Sequence, residues 1–260
     1  MEMELPDGGQ WPSASVDTEW ISRIGLIVPA SNGVVEYEIA RMLPQGMSAH
    51  FARAPHIAER KARLAAMIES IPQLARDLVA ADVSTICFAC TTGSFSQAGY
   101  AERALDAIRQ AGCDRPSTTT TAVLAAATAL RIKRLTIISP YPDEYNTLLR
   151  GYFEARGLAV TRVSSLYSET PENIAPETVR DFCLHHADRT ADAVFISCTK
   201  LRTLEIIEEL EVELGRPVLS SIAASLWQLV GHMQLPKSPL RPGRIFEIEA
   251  VASGPARGKA

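Results

Sequence analysis

The sequence predicts an α/β protein of two similar lobes, each built on a parallel sheet, and three observations carry that prediction. The first is an internal echo: "RIGLIVPASN" around Pro29 returns as "RLTIISPYPDEYN" around Pro140, an offset of 111 residues. Cys90 and Cys198, each followed at once by threonine, are offset by 108, and the hydroxyl-rich segments at Ser117 and Ser220 by 103. A repeat this long exceeds a solenoid unit and reads as two lobes facing one another. The second observation is that the short β-branched runs are continuously apolar, as in strands covered on both faces. The third is that stretches with helical spacing separate them.

Taken in order, residues 1–20 are polar and aperiodic and are expected to form a flexible N-terminal segment. Strands are expected at Ile24–Val28, Val83–Ala89, Leu135–Ser139, Leu158–Val163, Ala193–Ser197 and Val218–Ser220. Leu64, Ile68, Ile71, Leu74 and Leu78 repeat with helical spacing, as do Leu201, Leu204, Ile207, Leu210 and Leu214. "PETVRDFCLHHADR" opens with Pro176 where a first helical turn tolerates it and places acids early, which predicts another helix. The repeat divides the chain into lobe 1, residues 21–116 with 220–236, and lobe 2, residues 117–219. Residues 237–260 are expected to be a flexible C-terminal tail.

Composition narrows the function. A formal net charge of −4 and 47% hydrophobic residues suit a soluble domain with no basic excess, so nucleic acid is not an expected partner. No apolar run approaches the roughly 20 residues of a membrane span, and the N-terminus lacks the order of a signal peptide. The expected location is therefore the cytoplasm, away from membranes, with a small molecule as partner; a homo-oligomer stays open. Five cysteines without export signals read as reduced thiols.

Ligands of open α/β sheets gather at the carboxyl ends of the strands, and both Cys-Thr pairs fall there. Two thiols arriving at equivalent strand ends suit a reaction that needs an acid and a base on opposite faces of one carbon. Free N–H groups at a strand-to-helix turn are expected to lower a thiol's pKa. With the hydroxyls of Thr91, Thr92, Ser94 and Thr199 they would hold a carboxylate and the charge that develops beside it. Cys87 points to the opposite strand face from Cys90 and reads as core, and Cys113 and Cys183 have no companions. Five histidines show no metal spacing, and neither G-x-G-x-x-G nor a Walker loop is present, so no metal and no cofactor are expected. Lys200 and Arg202 read as solvated charges at a helix start.

Together, "IGLIVPASN", "ACTTGS", "TTTTAVLAA", "ISPYPDEYN", "FISCTKLRT" and "PVLSSIAASLWQLV" resemble the aspartate/glutamate racemase superfamily, from about Arg23 to Val230. Within it the chain is most similar to the branch of maleate cis–trans isomerase and arylmalonate decarboxylase. The resemblance implies two pseudo-symmetric Rossmann-like lobes around a cofactor-independent site, with one catalytic cysteine from each lobe. It places the cysteine that adds to a double bond at Cys90 and the one that handles the proton on the far side at Cys198. The carboxylate-holding asparagine falls on Asn32, and the tyrosine of the "PY" motif on Tyr141. Thr91, Thr92 and Thr199 complete the expected substrate-binding set.

The decarboxylase has glycine where this chain has Cys90, so the implied activity is a cysteine-dependent isomerase of a small carboxylic acid, maleate isomerase-like. The alternatives are a two-base amino-acid or hydantoin racemase and an arylmalonate decarboxylase-like enzyme; a third reading is a non-catalytic protein that binds a small acid. The pattern departs from the resemblance at "LYSETPENIAPETV", where Glu169 or Thr170 occupies the place of a further substrate-binding asparagine.

Overall fold

The computed structural model describes residues 22–231 and 242–248. The expected N-terminal segment 1–20 lies outside the described residues. Eight strands form two four-stranded parallel sheets with the same internal order. In the first sheet β1 (Ser22–Pro29) lies between β2 (Met47–Ala54) and β3 (Thr85–Phe88), and β4 (Pro116–Thr118) closes the far edge. In the second, β5 (Arg134–Ser139) lies between β6 (Ala159–Ser165) and β7 (Ala193–Ile196), with β8 (Val218–Ser220) at the edge. Orders β2-β1-β3-β4 and β6-β5-β7-β8 are equivalent under the internal repeat.

The helices repeat as well. α1 (Val34–Met42), α2 (Arg60–Ala80), α3 (Thr91–Phe95), α4 (Tyr100–Gln110) and α5 (Thr119–Ala129) belong to the first half of the chain. α6 (Asp143–Glu154), α7 (Pro176–His186), α8 (Ile207–Leu214) and α9 (Ser221–Val230) belong to the second. The hydroxyl-rich segments cap α5 and α9: the Thr118 and Ser220 hydroxyls accept from the N–H groups of Thr121 and Ala223. These two equivalent helices pack on each other and bring the halves together.

Side chains alternate along the central strands between separate apolar layers, as a period of two requires. Ile24, Leu26, Val28 and Cys87 pack with α1 and α9, while Ile27, Ile86 and Phe88 face the layer containing α2 and α4. Ile137 and Phe195 from the second sheet join that same layer, so one continuous core runs between the sheets. Cys87 is core, as its strand position predicts. Residues 242–248, within the stretch read as a tail, include a 3₁₀ turn at Arg244–Glu247 whose Ile245 is buried.

Three elements differ from expectation. β2 escapes the criterion of continuous apolarity because its sequence, "MSAHFARA", is mixed and most of its side chains are half-buried at a sheet edge. β4 has only three residues and begins with proline, which an edge strand tolerates. The helix expected from Leu201 begins instead at Ile207. Leu201 and Leu204 are buried, but in turns, because polar groups of α1 bind the backbone there and hold it out of a helix.

Candidate active site

Asn32, Cys90, Thr91, Thr92, Tyr141, Cys198 and Thr199 line one cavity of about 310 Å³ at the carboxyl ends of the strands, whereas Ser94, expected to join Thr91 and Thr92 in holding a carboxylate, is buried beneath the turn with its hydroxyl on the Cys90 carbonyl. That volume lies at the small end of ligand pockets. Two turns supply the thiols, and they are built differently.

Cys90 follows β3 and occupies the N-cap position of α3, with an extended backbone. Its Sγ accepts the Gly93 N–H at 3.4 Å, and the Thr92 hydroxyl lies 3.7 Å away. Gly93 is required here by close approach: a Cβ at that position would meet the Phe88 ring at 2.7 Å and the Cys90 sulfur at 3.1 Å. The Ser94 hydroxyl donates to the Cys90 carbonyl at 2.8 Å, which completes a turn made wholly from its own lobe.

Cys198 follows β7 in a left-handed backbone with φ of 108°, a region that costs a non-glycine residue free energy. Its Sγ accepts the Lys200 N–H at 3.4 Å. The loop beyond it is fastened from the other lobe. Asn32, fully buried, donates both amide protons to Thr199, to the carbonyl at 3.1 Å and to the hydroxyl at 3.0 Å. Its Oδ1 meanwhile accepts from the N–H groups of Val34 and Val35 at the start of α1. Glu38, also buried, accepts from the N–H groups of Thr203 and Leu204 and from the Thr203 hydroxyl. Burial pushes its carboxyl above the usual range against the pull of those N–H groups.

Ser221, the first residue of α9, joins the two turns. Its hydroxyl accepts the Cys198 N–H at 3.0 Å and lies 3.0 Å from the Thr91 hydroxyl. Tyr141 closes the cavity wall, with its ring against Phe95 and its hydroxyl accepting from Ser197 at 3.3 Å. Desolvation raises the phenol well above its ordinary pKa.

Both thiols are raised rather than lowered. Burial pushes Cys90 up, opposed by the Gly93 N–H, the Thr92 hydroxyl and the positive charge of Arg63. Burial pushes Cys198 up to about 11, opposed by the Lys200 N–H and the Tyr141 hydroxyl. The expectation that turn N–H groups leave a resting thiolate is thus corrected: a single N–H bond to each sulfur is outweighed by desolvation in a closed cleft. Each sulfur is therefore a proton-bearing thiol near neutral pH.

Of the outer wall, the sequence points only to Glu169 or Thr170, and both line the cavity. His56, Arg60, Arg63 and Met67 line it from the start of α2, and Ser168, Glu169, Thr170, Pro171 and Glu172 from the segment after β6. Glu169 accepts from Arg60 at 3.1 Å and from the Tyr167 hydroxyl. Lys200 is not a solvated helix-start charge. It lines the cavity and pairs with Glu172 at 2.9 Å. "HIAERKAR" reads as an ordinary charged helix start, and only the fold reveals that it faces the thiols. Among the described residues no cluster of His, Cys, Asp and Glu is arranged to hold a metal ion.

Comparison with known proteins agrees with this geometry. The family model for arylmalonate decarboxylase matches residues 24–246. The arylmalonate decarboxylase of Bordetella bronchiseptica is 30% identical over 239 residues, 86% of this chain and 96% of its own. A maleate isomerase of Pseudomonas putida is 27% identical over 240 residues, 85% of this chain and 94% of its own. A mutant of the Nocardia farcinica maleate cis-trans isomerase, solved with a covalently bound succinylcysteine intermediate, is 24% identical. It has a TM-score of 0.78 and covers 86% of this chain and 98% of its own. Sequence and fold together place this protein, an enzyme with two cysteines in one cleft, in the arylmalonate decarboxylase family.

Proposed function

We propose that the protein is a cofactor-independent cis–trans isomerase of a small unsaturated dicarboxylate, with maleate as the first substrate to test. The observation that carries this reading is the convergence of Cys90 and Cys198, from equivalent strand ends of the two halves, on one small cavity. Relatives named maleate isomerase support it. So does the presence of a sulfur at position 90, where the decarboxylase pattern has glycine.

In the proposed mechanism Cys90 gives up its proton to solvent water as the substrate binds, and its sulfur adds to one alkene carbon. The electron pair of the double bond moves onto the neighbouring carbon and its carboxylate, and Cys198, which holds its proton up to about pH 11, donates it there. The resulting single bond rotates. Cys198 then takes the proton back, and the C–S bond breaks to leave the trans alkene. Donors from Thr92 and Tyr141 hold the carboxylates and the charge that develops on them; Asn32, whose two amide protons both go to Thr199, positions the Cys198 turn instead of touching the substrate, and Thr91 positions the Cys90 turn through Ser221.

The division into lobe 1, residues 21–116 with 220–236, and lobe 2, residues 117–219, belongs to the same reading. So does a cytoplasmic location, while a homo-oligomer stays open. No helix among the described residues is long and apolar enough to cross a membrane. Incubation with maleate in deuterated buffer, followed by proton NMR, tests the function. Fumarate formed by the wild type and absent with Cys90→Ala supports it; fumarate formed equally by both proteins overturns it. α-Deuteration of an amino acid or hydantoin without fumarate would select the two-base racemase.

A further inference from the structure

The outer wall of the cavity has an uneven distribution of charge. Three cationic side chains, Arg60, Arg63 and Lys200, line it, with two carboxylates, Glu169 and Glu172. Both carboxylates are already paired: Glu169 with Arg60 at 3.1 Å, and Glu172 with Lys200 at 2.9 Å. Arg63 is the cation left over. One of its nitrogens, Nη1, donates to the carbonyls of Ile57 and Ala58 at 2.9 and 3.4 Å, and no carboxylate of the described residues forms an ion pair with it. The nearby Glu59 is occupied as the N-cap of α2, accepting from the N–H groups of Lys61 and Ala62.

The two bonds from Nη1 to backbone carbonyls hold that edge of the guanidinium, and neither Nε nor Nη2 has a hydrogen-bond partner among the described residues. A guanidinium held in this way presents a fork that matches a carboxylate, and holding it in place beforehand reduces the entropy lost on binding. The side chain is half-buried and lines the same cavity as Cys90, and its charge is felt at that sulfur.

The geometry points to Arg63 as a specificity-determining residue that receives the second carboxylate of a dianionic substrate, the one remote from the donors around Thr92 and Tyr141. This inference rests on the isomerase reading above and names the residue that makes a dicarboxylate its substrate. It also accounts for Glu169 in a site for anions: Arg60 and the Tyr167 hydroxyl hold its charge. The incoming carboxylate meets Arg63 instead.

Succinate and butyrate share a four-carbon skeleton and differ by one carboxylate, so their dissociation constants test the assignment directly by calorimetry on the wild type, Arg63→Met and Arg63→Lys. The wild type is expected to prefer succinate by about tenfold or more, the size of one charge-assisted pair. Arg63→Met should abolish that preference while leaving butyrate affinity within about twofold, and Arg63→Lys should restore part of it. Equal weakening of both ligands by Arg63→Met would show that the residue only holds the turn at Ile57 and Ala58, and would overturn the assignment. So would the absence of a preference in the wild type, or a preference that survives Arg63→Met. Maleate turnover measured alongside separates the two levels of the account. A dianion preference without turnover breaks the isomerase reading alone, whereas turnover with a KM unchanged by Arg63→Met breaks this assignment alone.

Discussion

The two cysteine turns carry the same Cys-Thr pair at the ends of equivalent strands, yet one is held by its own lobe and the other by its neighbour. Three residues after Cys90 stands Gly93, which lets α3 wind directly under the sulfur. Three residues after Cys198 stands Leu201, whose side chain is buried in the core beside α8, and no helix forms until Ile207. The backbone after Cys198 is tied to the other lobe at Thr199 by Asn32, just before α1, and at Thr203 by Glu38 of α1. The position of Cys90 therefore depends on local backbone geometry, and that of Cys198 on the lobes being docked.

Substitutions at Glu38 should break the comparison most strongly. Glu38→Ala leaves the N–H groups of Thr203 and Leu204 buried without an acceptor, at a cost of about 3 kcal/mol in denaturant unfolding. Its activity should fall because Cys198 is released, while alkylation of Cys90 in the folded protein keeps its wild-type rate. Gly93→Ala should act on the other turn. A new Cβ 2.7 Å from the buried Phe88 ring costs about 1–3 kcal/mol and displaces the Cys90 sulfur. Peptide mapping after alkylation should then show altered labelling at Cys90 and unchanged labelling at Cys198.

Ser221→Ala removes the hydroxyl shared by both turns and should cost about 1 kcal/mol, because it leaves the Cys198 N–H unpaired. Both labelling rates should change together, unlike the one-sided effects above. The smallest effect is expected from pH near neutrality. Cys198 holds its proton more tightly in the fold than in the unfolded chain, so its contribution to stability is complete below the ordinary thiol value of 9.0. That contribution fades as pH rises toward about 11. Alkylation of Cys198 should accordingly be slow at neutrality and climb about tenfold per pH unit without levelling off until about pH 11. A rate that titrates near 7 would contradict the desolvated environment described for this thiol.

Much of this arrangement was legible in the sequence because it rests on short-range signals. Continuous apolar runs marked the central strands, and the repeated Cys-Thr pairs marked their ends; of the candidate site residues, all but Ser94 line the cavity. What escaped detection depends on tertiary contacts. β2 is a half-buried edge strand without an apolar run, and the loop after Cys198 has helical spacing but is kept open by Asn32 and Glu38. Arg60, Arg63 and Glu172 are ordinary surface charges in one dimension and become cavity residues only when the lobes face each other. The thiol protonation states were misjudged for the same reason, since desolvation is a property of the closed cleft and not of the turn.

The most direct test of the central claim, that Cys90 adds to the substrate and Cys198 supplies the proton, is mass spectrometry of Cys90→Ser and Cys198→Ser proteins after incubation with maleate. The account predicts that Cys198→Ser gains the mass of one maleate on the peptide containing Cys90, because the adduct forms and is released slowly without its acid–base partner. Cys90→Ser should gain nothing. An adduct on Cys198 in the Cys90→Ser protein, or fumarate produced by that protein at the wild-type rate, would contradict it.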